Sequence, residues 1–105
     1  MQENTYYIAK VSDFLENSMK AVELGRHDVL VIHQEGRFYA LENRCSHDNN
    51  PLDDGDLLEG AVQCSRHGAK FNLETGKPTL PAVKKIRIYQ TQILGDELYI
   101  NCQEI

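Results

Sequence analysis

Long apolar runs are missing from this sequence. No stretch approaches the eighteen or more residues that a membrane-spanning helix needs, and the longest strand-like run is Val29-Leu30-Val31-Ile32. The opening Met1-Gln2-Glu3-Asn4-Thr5 has neither the basic head nor the apolar body of a secretory leader. A soluble, cytoplasmic chain with no membrane contact is the expectation. Excess basic charge is missing too: eleven lysines and arginines against sixteen aspartates and glutamates give a net charge of −5. Nucleic acid draws proteins in through Lys and Arg, so no nucleic acid is expected as a partner. An acidic chain suits docking on a basic protein surface, where complementary charge speeds encounter. Cysteine is scarce, at three, and two of these belong to the motif below, so there is no disulfide framework.

Linkers, internal repeats and low-complexity stretches are also absent. The 105 residues form one small domain, near the size at which a core alone is only moderately stabilising. No long segment has a 3.6-residue period. What the chain has is short strands punctuated by turns. Thr5 to Val11 reads as a strand, with Ser12-Asp13 as a turn or short helical cap, and Met19 to Leu24 reads as a second strand closed by Gly25. Asp28 to Gln34 and Arg37 to Glu42 flank Glu35-Gly36, a two-residue hairpin signal. Gly60 to Gln63 is a short strand, Lys70 to Gly76 a hairpin, and Pro78 and Pro81 bracket a rigid loop. Lys85 to Leu94 and Glu97 to Asn101 are strands joined at Gly95-Asp96. This pattern predicts an all-β sandwich or barrel.

The chemistry is concentrated between Cys45 and Phe71. Two short pairs of donors stand there, Cys45-Ser46-His47 and Cys64-Ser65-Arg66-His67, with sixteen residues between them. Two thiolates and two imidazoles suffice for a metal site, and soft sulfur with borderline nitrogen selects iron or zinc over magnesium or calcium. Cys-x-His leaves one residue between donors. That is tight for two ligands closing on one tetrahedral ion, where spacers of two to four are usual. Splitting each pair across two irons removes the crowding: Cys45 and Cys64 hold one iron, His47 and His67 the other. A single zinc on the same four residues, in a non-redox interaction module, stays open as an alternative.

Mixed ligation of this kind belongs to Rieske-type [2Fe–2S] centres, in which two histidines replace two cysteines on one iron. The sequence resembles that family closely here. Its boxes C-x-H and C-x-x-H-G are met by Cys45/His47 and Cys64/His67/Gly68, and Phe71-Asn72-Leu73-Glu74-Thr75-Gly76 resembles the F-[DN]-x-x-[TS]-G that follows in Rieske-type ferredoxins. Counting the loop near Pro81, these motifs cover roughly a third of the chain; elsewhere only length and strand pattern match. The resemblance implies a single Rieske domain over residues 1–105: an antiparallel β-sandwich or barrel base with a small cluster-binding subdomain inserted at about residues 43–83. It implies one Rieske-type [2Fe–2S] cluster held by Cys45, His47, Cys64 and His67, and no catalytic residues. The function it implies is that of a soluble, monomeric ferredoxin, not an enzyme. Such a protein carries single electrons from a flavin-containing NAD(P)H reductase to a terminal oxygenase, as in bacterial ring-hydroxylating dioxygenase systems. The small Rieske-like subunit of an assimilatory nitrite reductase is the alternative within electron transfer.

The resemblance also bears on the potential. High-potential members carry an extra cysteine in each box; the corresponding positions are Asn50 and Arg66, so that bridge cannot form. Their serine and tyrosine hydroxyl donors are replaced by Ala69 and Phe71. With few donors, and Asp48, Asp53, Asp54, Asp56 and Glu59 crowding the first loop, the expected potential lies at the bottom of the Rieske range, roughly −150 mV. His47 and His67 are expected to face solvent, Pro81 to wall off water, and Gly68 to let backbone approach the cluster. Ser46 and Ser65 are expected to add weak hydrogen bonds there, and Arg66 and Lys70 to pair with the acidic loop. Cys102 reads as a small buried side chain, His33 as a packed or surface histidine, and His27 as part of a turn.

Overall fold

A strand that is apolar on both faces has to be covered on both. Val29, Leu30, Val31 and Ile32 are all fully buried, and the computed structural model, which describes residues 4–102, shows what covers them. The strands are β1 (Thr5–Lys10), β2 (Ser18–Leu24), β3 (His27–Gln34), β4 (Arg37–Glu42), β5 (Asp56–Leu58), β6 (Ala61–Gln63), β7 (Lys70–Asn72), β8 (Ile88–Leu94) and β9 (Glu97–Asn101). They form a six-stranded antiparallel sheet in the order β1-β9-β8-β4-β3-β2 and a three-stranded one in the order β5-β6-β7. Side chains alternate along β3. Val29 and Val31 enter one core with Phe14, Phe38, Leu98 and Ile100, while Leu30 and Ile32 enter another with Leu52, Val62, Phe71 and both motif cysteines. The large sheet thus curls around the first core into a nearly closed barrel and carries the small sheet on its outer face.

The predicted hairpins form where the turn residues place them. Glu35 and Gly36 have φ of 53° and 75°, as a two-residue turn between Gln34 and Arg37 requires, and the Glu16 carboxylate accepts both of their N–H groups. Gly95-Asp96 joins Leu94 to Glu97. Other expectations change. β8 begins at Ile88, three residues after Lys85, because the Ile86 N–H goes to the Gly76 carbonyl and Arg87 binds Glu42. This crossing needs Gly76: a Cβ there would lie 2.3 Å from the Ile86 oxygen. The strand from Lys70 stops at Asn72, whose Oδ1 accepts the N–H groups of Glu74 and Thr75, and the return arm is reduced to one bridge, Phe71 to Pro78. β5 arises inside the stretch read as an acidic loop, and His27 opens β3. No helix among the described residues is long and apolar enough to cross a membrane. Met1–Glu3, part of the start read above for a leader, lies outside the described residues.

Candidate metal centre

Three loops build one end of the molecule. β6 delivers Cys64: its N–H binds the Ala69 carbonyl and its carbonyl accepts from Gly68, closing the second box into a tight turn. Gly68 serves that turn with a φ of 75°; a Cβ there would meet only Gln63 Nε2, at 3.5 Å, so its backbone conformation is what calls for glycine. In the first box the Cys45 N–H binds the Asn50 carbonyl and the Cys45 carbonyl accepts from Asn49. Asn43 staples this loop from below. Buried at 5% exposure, it accepts the N–H groups of Leu52 and Asp53 and donates to the Asp53 carboxylate. The third loop, residues 79–85, is held by Thr79, which exchanges hydrogen bonds with Lys70, and by the buried Ala82. The Ser46 hydroxyl donates to the Lys84 carbonyl, so it ties two loops together instead of serving the cluster as expected.

The four motif donors come to this end in two tiers. Cys45 and Cys64 are buried, at 0% and 1% exposure, and their sulfurs lie with an Asp48 oxygen inside a group no wider than 4.8 Å. His47 and His67 are exposed outside them, ring centroids 5.0 Å apart and planes perpendicular. His67 turns Nδ1 towards Asp48 Oδ2 at 3.2 Å, and both Asp48 oxygens stand 3.9 Å from Cys64 Sγ. His67 thus turns Nδ1 to the carboxylate that lies beside the thiols, while neither imidazole joins the 4.8 Å group itself.

Electrostatics in the inner tier disfavour a bare thiolate at Cys45. Burial pushes the Cys45 thiol up, opposed by the N–H groups of His47 and Asp48 at its sulfur, while the adjacent Cys64 raises it again. Two neighbouring buried thiolates are unfavourable unless positive charge lies between them. Soft sulfur inside and imidazole outside is the donor chemistry of a binuclear iron–sulfur group, and the residues fit it. Asp48 is what the sequence reading did not single out. It was one of five acidic residues in the loop; in the fold it is the carboxylate among the donor atoms. The Asn50 N–H, then the Cys45 thiol and His67, hold its carboxyl below the usual range. The legible signal was its place, next to His47 and two before Asn50.

The remaining candidates separate cleanly. Cys102 is buried in the barrel core with Phe14 and Leu98, apart from the donor set, as its apolar reading implied. His33 stacks on Phe38, with centroids 4.2 Å apart, and its Nδ1 lies 2.9 Å from the Phe14 carbonyl oxygen. His27 Nδ1 lies 3.2 Å from the Tyr89 hydroxyl. Pro81 is exposed, and it is Ala82 that packs inward. Among the described residues, Arg66 and Lys70 form no ion pair with the acidic loop.

Comparison with known proteins agrees with this geometry. Residues 4–90 match the Rieske [2Fe–2S] domain family. Apoptosis-inducing factor 3 of Homo sapiens is 34% identical over 98 residues, which is 92% of this chain but 16% of that protein, so the chain spans about a sixth of that relative. The 3-phenylpropionate/cinnamic acid dioxygenase ferredoxin subunit of Photorhabdus laumondii is 32% identical over 100 residues, covering 93% of this chain and 94% of the relative. Among solved structures, the ferredoxin of carbazole 1,9a-dioxygenase from Nocardioides aromaticivorans superposes with a TM-score of 0.90 at 27% identity, over 96% of this chain and all of that one.

Proposed function

The chain belongs to the Rieske [2Fe–2S] domain family, and on that premise we propose that it is a low-potential ferredoxin of a multicomponent oxygenase. It takes single electrons from a flavin-containing NAD(P)H reductase, passes them to a terminal oxygenase, and transforms no substrate itself. One observation carries the reading: the fold brings Cys45 and Cys64 together as a buried pair and His47 and His67 together as an exposed pair, the two linked through Asp48. The dioxygenase ferredoxin names of full-length relatives support it. On this reading it works in the cytoplasm as a monomer. The cluster-binding subdomain occupies about residues 43–83.

A bound [2Fe–2S] group supplies reversible one-electron transfer. Cys45 and Cys64 would hold it through sulfur, with the N–H groups of His47 and Asp48 steadying the Cys45 thiolate. His47 and His67 would hold it through nitrogen and, being exposed, would give electrons a short path to a docked protein. Ala82, Phe71 and Leu52, all buried against the cysteines, keep water from the inner tier. The Asp48 carboxylate beside the thiols disfavours added negative charge, which is the direction of a low potential.

The test is anaerobic loading with iron and sulfide, followed by metal analysis and electron paramagnetic resonance of the dithionite-reduced protein. Two irons, two labile sulfides and an average g-value below that of an all-cysteine cluster are expected. The His67→Cys variant should still bind iron and shift its spectrum towards the all-thiolate form. A colourless protein with one zinc and no sulfide would replace this reading with a mononuclear site, for which Asp48 among the thiols would serve as a ligand.

A further inference from the structure

Residues 44–50 and 65–70 carry the two exposed histidines, and the Ser46 bond to the Lys84 carbonyl joins residues 79–85 to them. They hold five of the chain's eleven basic side chains, Arg44, Arg66, Lys70, Lys84 and Lys85, and one acidic side chain, Asp48. These segments carry a net charge of +4, leaving −9 on the rest of a chain whose total is −5. All five cations are exposed, whereas Asp48 is half-buried and engaged by Asn50 and His67. Arg44 meets Glu42 at 2.9 Å, but among the described residues no carboxylate pairs with Arg66, Lys70, Lys84 or Lys85. Asp53, Asp54 and Asp56 flank this face on the β5 side, and Asp53 is turned back onto Asn43. The third loop adds apolar surface. Ala82 and the Ser46 bond to Lys84 anchor it beside the cysteines, yet it leaves Leu80 and Val83 79% and 78% exposed. Apolar side chains held out on an anchored loop, with a charged rim, have the make-up of a protein contact.

We infer that the face around His47 and His67 docks a redox protein whose own contact surface is acidic around an apolar centre. This rests on the electron-carrier reading, and it reverses the partner charge that the whole-chain composition suggests. Distance decides between the two. Fixed charges are screened over about 8 Å at physiological ionic strength, and the molecule is 39 Å long, so carboxylates far along the barrel weigh less at the tip than Lys84, whose carbonyl is bonded to the Ser46 hydroxyl next to His47; Lys85 lies beside it in a groove shared with Glu42 and Glu74. The remote negative charge then helps orientation: an acidic partner repels the barrel and attracts the tip.

The experiment reduces the cluster-loaded protein with dithionite, removes the excess anaerobically, and mixes the protein in a stopped-flow instrument with two probes of opposite charge. These are ferric cytochrome b5, acidic around its haem edge, and ferric cytochrome c, basic around its own. Electron transfer to cytochrome b5 should be fast at low salt and fall roughly tenfold or more as salt rises. Lys84→Glu with Lys85→Glu should lower the low-salt rate by roughly tenfold and flatten the salt response; Glu35→Lys with Glu97→Lys, on the barrel, should leave both unchanged. A rate to cytochrome b5 that rises with salt, or responds equally to both pairs of substitutions, overturns the inference. So does a salt-suppressed rate with cytochrome c alone. A protein with no dithionite-reducible cluster reduces neither probe; that result overturns the electron-carrier reading first, whereas the wrong salt response from a reducible cluster defeats the docking inference alone.

Discussion

Phe71 and Asp48 show how single residues set the character of the site. Phe71 is fully buried in the core that contains both motif cysteines, so its ring shields them while offering no donor. Phe71→Tyr would bring a hydroxyl into that core, where a cysteine sulfur is the acceptor that would satisfy it. The expected result is a higher reduction potential by protein-film voltammetry, because a donated hydrogen bond stabilises the added electron. An unchanged potential with intact folding would show that the hydroxyl finds another partner. Asp48 acts in the opposite sense. Asp48→Asn removes a negative charge 3.9 Å from Cys64 Sγ and should also raise the potential. The four donors were legible in the sequence because their chemistry and spacing are local. Asp48 was not: adjacency to His47 is visible in a string of letters, but its aim at Cys64, sixteen residues on, is made by the fold.

At the scale of elements, the β3–β4 hairpin and the small sheet teach different lessons. The hairpin was readable from Glu35-Gly36; its cap was not, since Glu16 arrives from nineteen residues away. The N–H groups of Gly36 and Glu35, with His33 3.5 Å from the carboxylate, hold the Glu16 carboxyl below the ordinary glutamate value of about 4.5. A lowered folded-state value means the cap stabilises fully above about pH 4.5 and loses its effect as pH falls through the folded-state value. Wild type should therefore melt above Glu16→Gln at pH 7, and the gap in melting temperature should close as the pH is lowered from 4.5. A gap that persists at pH 2 would show that the carboxylate's charge is not what caps the turn. The small sheet was only partly readable. Asp56–Leu58 is three residues long, too short for alternation to register, and it was hidden among aspartates. Its start depends on Gly55, where an added Cβ would lie 1.9 Å from the Gln63 carbonyl oxygen. Gly55→Ala should cost about 1–3 kcal/mol in urea denaturation, as overpacking at a site that cannot relax does.

Across the whole molecule, β3 joins two cores of unequal support. The sequence shows Val29–Ile32 as a strand but not that its alternate residues serve different interiors; four consecutive apolar residues look the same whichever layers cover them. The barrel core is enclosed by a six-stranded sheet whose β2–β3, β3–β4 and β8–β9 ladders run for five to seven residue pairs. The outer core has beneath it Leu30, Ile32 and Leu41 from that sheet, but above it only three-residue strands and the ligand loops, which converge on two buried thiols. Metal binding and folding are coupled wherever ligands from separate loops must be held together. Removing the cluster should therefore loosen the outer layer first, and hydrogen exchange can see it. After chelation under reducing conditions, amides of β5, β6 and β7 should lose protection while those of β8 and β9 keep theirs, and a dye that binds apolar surface should report the uncovered face of β3. Loss of protection in both layers together would mean that the two cores open as one cooperative unit, with the cluster a keystone for the barrel as well as for the tip.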